Sequence, residues 1–115
     1  MNPEIKQRWI DALRSGKYVQ GKEYLARNEQ FCCLGVLCEI AVDEGVIKPS
    51  TSTARYSSGT VQKYGNETMS LPREVVEWAG VKSEDPRINS NSSLSWENDS
   101  GASFPEIADF IERQL

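Results

Sequence analysis

The sequence predicts an α+β domain, with three main helices packed on a small antiparallel sheet of hairpins. Three observations carry this expectation. Apolar residues recur at helical spacing in separate stretches near the start of the chain, before its middle and at its end. Short runs containing tyrosine, valine and phenylalanine lie among them, broken by turn-forming residues. The 115 residues, 38% of them hydrophobic, suffice for one modest core, and no repeat or composition break divides them. The expected organisation is a single domain, 1–115, with polar loops near 48–59 and 89–93.

The first helix starts after Asn2, a capping residue, with Pro3 suited to the first helical position and Glu4 to the positive end of the helix dipole. Ile5, Trp9 and Leu13 recur every fourth residue, Ile10 and Ala12 widen the stripe, and Gly16 ends it. That periodicity makes Trp9 a core residue. A hairpin follows. Tyr18–Gln20 and Tyr24–Ala26 have strand character, Arg27-Asn28-Glu29-Gln30 is a turn, and Gln30–Cys32 returns. From Cys33 or Leu34 the pattern becomes helical: Leu34, Leu37, Ile40 and Ala41 form one face, Val36 and Cys38 broaden it, and Gly45 stops it. The near absence of charge in its first two turns predicts the most buried helix of the fold.

Residues 48–60, KPSTSTARYSSGT, show no periodicity and read as a long surface loop. Thr60–Tyr64 and Glu67–Ser70 are expected to pair around Gly65-Asn66. Leu71-Pro72 opens a short helix through Trp78, closed by Gly80, with Val75, Val76 and Ala79 inward. Asn89–Ser93 is a second polar stretch, and Ser95–Asp99 makes one helical turn. Ser103-Phe104-Pro105-Glu106 is a capping box, followed by the cleanest amphipathic pattern in the chain: Phe104, Ile107, Ala108, Ile111 and Leu115. Trp9, Leu13, Leu34, Leu37, Ile40, Ile107 and Ile111 are expected to form the core.

Composition restricts function. There is no histidine, which excludes Ser-His-Asp and Cys-His catalysis and HExxH zinc sites within one chain. Thirteen basic residues against 17 acidic ones leave a net charge of −4, a poor footprint for a nucleic-acid polymer as partner. No apolar run is long enough for a membrane span, and no signal region opens the chain, so the expected location is the cytoplasm. Three cysteines, two of them adjacent, do not make a disulfide framework. Neither GxxxxGK[ST] nor GxGxxG occurs. No metal and no cofactor is expected.

Three features are chemical candidates. In FCCLGVLC, Cys32 or Cys33 stands at a helix start, where the dipole can lower a thiol pKa. Without a histidine base, the favoured reading is small buried hydrophobes, with Gly35 allowing close packing. In Trp96-Glu97-Asn98-Asp99-Ser100-Gly101 the oxygen ligands lack calcium-loop spacing. Asn98 and Asp99 instead cap a neighbouring helix or meet a ligand's ribose. Basic and aromatic residues form the third feature: Arg14, Lys17, Tyr18, Lys22, Tyr24 and Arg27, then Arg55 and Tyr56, then Lys63 and Tyr64. Arginine offers phosphate a bidentate fork, and tyrosine or tryptophan offers a base a stacking face.

The series WIDALRSGKYVQG, FCCLGVLC, LPREVVEWAG and LSWENDSGASFPEIADFI resembles a family of small uncharacterised proteins of tailed phages and prophages. The resemblance implies a phage accessory protein made in the bacterial cytoplasm, and it brings no catalytic residues. Some proteins of that kind sequester nucleotide second messengers of host defence, which needs a polar, aromatic pocket and no base. The expected function is binding of a small anionic, nucleotide-like ligand in a homo-oligomer. Arg14, Lys17, Arg27 and Arg55 would meet phosphates, Tyr18, Tyr56 or Trp96 would stack on a base, and Asn98 would read ribose or base edges. The alternatives are a module that inhibits a host protein through its acidic surface, and a small hydrolase drawing on Glu39, Asp43, Glu97, Asp99 and Glu106.

Overall fold

Three helix starts in this chain, at Asn2, Ser93 and Ser103, coincide with side chains that satisfy orphan amides. The computed structural model describes residues 1–53 and 59–115, with backbone alone at 52 and 53. Helix α1 (Pro3–Arg14) opens on Asn2, whose Oδ1 accepts from the amides of Glu4 at 2.9 Å and Ile5 at 3.0 Å. It buries Ile5, Trp9, Ile10 and Leu13 against α2 (Cys33–Asp43) and the last helix, Phe104–Gln114. The capping box of that last helix is formed: Ser103 Oγ accepts from the Glu106 amide, and the Glu106 carboxylate accepts from the Ser103 amide. Those bonds favour the ionised acid and hold Glu106 below the usual carboxylate range.

Helix α2 is central, with every residue from Cys33 to Cys38 buried, as are Ile40 and Ala41. Helix α3 (Arg73–Ala79) stops at Gly80, whose φ of 72° is left-handed. Helix α4 (Leu94–Asp99) is capped by Ser93, and the capping-box helix is α5. The described residues thus hold five helices rather than three, of which α3 and α4 are single short pieces of 7 and 6 residues. All seven residues expected in the core are buried.

The sheet departs from the expected hairpins. Strands β1 (Val19–Gln20), β2 (Ala26–Arg27), β3 (Gln30–Phe31), β4 (Pro49–Thr53) and β5 (Thr60–Tyr64) lie in the order β1-β3-β2-β5-β4. β1 and β3 run parallel and the other pairs antiparallel, so the sheet is mixed. The reason is the segment between β1 and β2. Instead of folding back beside β1 it carries the chain past the site that β3 occupies, with Glu23 at a φ of 71°. The tight turn is Asn28-Glu29, both at positive φ, which matches a two-residue primed hairpin turn. Asn28 also accepts from the Thr60 amide at 2.9 Å, fastening this turn to β5.

The polar loop expected near 48–59 is a strand over Pro49–Thr53, paired with β5 from Pro49↔Tyr64 to Thr53↔Thr60. As an edge strand β4 has no need of the apolar alternation that marks a half-buried one, and its proline sits at the first position, where a missing donor is tolerated. β5 therefore pairs with β4 and β2, and the expected Glu67–Ser70 partner meets it only at the Tyr64↔Glu67 bridge. The polar stretch near 89–93 belongs to a second, two-stranded sheet, β6 (Arg87–Asn89) with β7 (Ser92–Ser93). Among the described residues, no helix is long and apolar enough to cross a membrane.

Gly35 sets how closely α2 approaches β2. A Cβ there would stand 1.7 Å from the Leu25 carbonyl oxygen. Substituting Gly35→Ala is expected to destabilise the protein by about 3 kcal/mol, because backbone rather than a flexible side chain must yield. An unchanged urea midpoint would show that the strand moves aside freely.

Candidate functional site

The cysteine junction packs as core. Cys32, Cys33 and Cys38 are free thiols, all buried. Burial pushes the Cys32 thiol up to about 11 and those of Cys33 and Cys38 well above the ordinary value. Desolvation thus outweighs the backbone amides at the start of α2 that would favour a thiolate at Cys32. Cys33 is bound on three sides. Trp9 Nε1 donates to the Cys33 carbonyl at 2.9 Å, the Cys33 amide donates to Asn98 Oδ1 at 3.2 Å, and the Cys33 thiol donates to the Leu94 carbonyl at 3.6 Å.

Asn98 joins three elements. It is 1% exposed. Its Oδ1 accepts from Gln20 Nε2 at 2.8 Å as well as from Cys33, and its Nδ2 donates to the Gly21 carbonyl at 2.9 Å and to Asp99 Oδ1 at 3.1 Å. Asp99 Oδ1 also accepts from the Glu23 amide at 3.0 Å. Asn98 therefore caps a neighbouring helix, α2, and both hydrogen-bonding ends of its amide are engaged within the chain.

A cleft of about 580 Å³ lies between the sheet and α2. Thr60, Gln62 and Tyr64 alternate along β5 and so share a face. The register puts the Ala26–Phe31 pair on that same face. Glu39 of α2 stands opposite, and the Tyr64 hydroxyl donates to its Oε2 at 2.9 Å. Burial first, and then the Glu39 charge, raise the Tyr64 pKa. Phe31 is braced by Tyr18 in an edge-on contact, centroids 5.4 Å apart. Arg27, Asn28 and Glu29 complete the lining, with the Arg27 guanidinium carbon 5.4 Å from the Tyr24 ring centroid.

The eight residues expected to bind ligand are not gathered in one place. Arg27 lines the cleft, Tyr18 adjoins it through Phe31, and Lys17 Nζ lies 5.5 Å from the Tyr18 ring centroid. Arg14 is paired with Asp109 at 2.7 Å and Glu112 at 3.4 Å on α5, bonds that raise its pKa. Trp96 is 57% exposed on α4, and neither it nor Asn98 nor Arg14 lines the cleft. Arg55 and Tyr56 lie outside the described residues. The basic and aromatic pattern includes Tyr64 but not Phe31 or Gln62, and Glu39 stands in the sequence only among the acids of the hydrolase alternative. The available signals were the alternation Thr60-Gln62-Tyr64 and a single acid inside the otherwise apolar run of α2.

These features define a small α+β protein with a polar and aromatic cleft between a mixed sheet and its central helix. The chain belongs to the family described as Domain of unknown function (DUF8296), whose model matches residues 1–115. No curated protein and no solved structure matches it.

Two outcomes follow from the buried junction. Asn98→Ala removes the partners of the Cys33 amide and the Gly21 carbonyl and one of the two acceptors of the Gln20 side chain, and is expected to cost about 3 kcal/mol in chemical denaturation. The second concerns alkaline pH. The folded state keeps the thiols protonated while the unfolded chain ionises them near their ordinary value. For Cys32 the stabilisation is whole below pH 9 and is lost as pH rises towards about 11, with slope about −1.4 kcal/mol per pH unit for each such thiol. Urea midpoints that stay level from pH 9 upward would contradict it.

Proposed function

We propose that this protein binds a small nucleotide-like ligand in the cleft between β5, β3 and α2. The observation that carries the reading is one cavity combining a flat aromatic face, Phe31, with a carboxylate, Glu39, oriented by Tyr64. Its volume falls within the range of small-molecule sites. Phe31 offers a base a stacking surface, and Arg27 offers a phosphate its guanidinium fork. Asn28, Thr60 and Gln62 supply the short polar groups that fix orientation. The lining mixes one cation with two carboxylates, Glu29 and Glu39. That mixture suits a ligand with an anionic end and a hydrogen-donating end better than a bare polyanion.

Binding rather than turnover is favoured by the engagement of two of the other acids. Glu106 belongs to the α5 cap and Asp99 accepts from the backbone of Glu23. The resemblance to phage accessory proteins supplies a context, namely removal of a nucleotide signal of host defence by stoichiometric capture in the bacterial cytoplasm. A second copy closing over the cleft belongs to the same proposal. Calorimetric titration with cyclic mono- and dinucleotides and ADP-ribose derivatives is the test. At least one compound is expected to bind, with Arg27→Ala weakening it about tenfold and sedimentation showing a dimer or larger assembly. A panel in which nothing binds removes the proposal.

A further inference from the structure

We infer that the cleft selects a guanine base, with Glu39 as the residue that reads it; the inference rests on the ligand class proposed above. Glu39 is half-buried on α2 and faces the cleft. One oxygen, Oε2, accepts the Tyr64 hydroxyl at 2.9 Å. Among the described residues nothing donates to the other oxygen, and no cation pairs with the group. A carboxylate carries about four acceptor sites and no donor when ionised, so several remain for a ligand. The Tyr64 bond uses one of them and sets the plane and position of the rest.

An acceptor-only pair of oxygens is complementary to two parallel N–H groups. Guanine presents that pair, N1–H beside the 2-amino group. Adenine presents a ring-nitrogen acceptor beside its amino group, so one carboxylate oxygen would face a lone pair. Hypoxanthine keeps N1–H and lacks the 2-amino group, leaving one bond of the two. Phe31, on the sheet face opposite Glu39, is placed to meet the flat of the same ring. Burial sharpens the choice, because an acceptor left facing an acceptor away from water loses its hydration without replacement.

The experiment titrates GMP, IMP, AMP and the guanidine compound agmatine into the whole protein and into Glu39→Gln. The glutamine keeps an oxygen for the Tyr64 hydroxyl, and its melting temperature checks that the fold survives. GMP is expected to bind about tenfold or more tighter than AMP, with IMP between them, and the preference is expected to vanish in E39Q. Three outcomes overturn the inference. AMP binding as tightly as GMP, or a preference unchanged in E39Q, removes guanine reading while leaving a nucleotide site in place. Agmatine outcompeting GMP assigns Glu39 to a cation instead. No binding by any nucleotide, here or in the wider panel, removes the ligand class itself.

Discussion

The start of α2 is the constraint on which the rest of the structure depends. Four groups converge on Cys33 and Gly35. Leu25 lays its carbonyl where a side chain on Gly35 would stand, Asn98 caps the Cys33 amide, Trp9 bonds the Cys33 carbonyl, and Leu94 receives the thiol. They come from three segments: the residue before β2, helix α1, and α4, which supplies both Asn98 and Leu94. A central helix with no side-chain cap of its own is thus held by its neighbours. A charged or bulky residue at this junction would break several of these contacts at once, which explains why the segment is so rich in small apolar residues.

That junction also places the cleft. Cys32 donates to the Leu25 carbonyl at 3.3 Å, so β2, β3 and the helix start form one rigid corner. Glu39 rides on the helix that leaves this corner, and Phe31 on the strand that enters it. Tyr64 reaches Glu39 from β5, which is tied to the same corner through Asn28. The cleft walls are therefore regular elements fastened to a common core, and their spacing follows from the packing of α2. Among the described residues no buried side-chain nitrogen or oxygen lacks a partner, so the polar network around the corner is complete.

The candidate site was less legible than the fold, and individual residues show why. Arg14 and Arg27 look alike in sequence. Their fates differ because α5 brings Asp109 and Glu112 beside one, while the other sits in β2 at the rim of the cleft, opposite Gln30. Asn98 stood out correctly as a cap, yet the amide it caps lies 65 positions earlier in the chain. Glu39 sits within the apolar run Cys33–Val42 of α2, and its partner Tyr64 arrives from a strand 25 residues on. Local pattern assigns hydrogen-bonding capacity to a residue, but not the partner that uses it.

What the sequence determined by itself is the set of elements that rest on local energetics. The Asn2 and Ser103 caps, the apolar stripes of α1 and α5, the glycine stop after α3 and the buried character of α2 all act within a few residues, and each appears where its pattern lies. Beyond the β2–β3 hairpin, whose turn the sequence marks, the tertiary structure alone decided strand partnership. β1 lies parallel to β3, and the Ser/Thr-rich segment Pro49–Thr53 becomes an edge strand because β5 offers it an open row of donors and acceptors. Strand pairing takes its free energy from a remote backbone, and an edge strand needs no apolar code of its own. The cleft depends on that pairing, so the candidate site became visible only once the sheet had assembled.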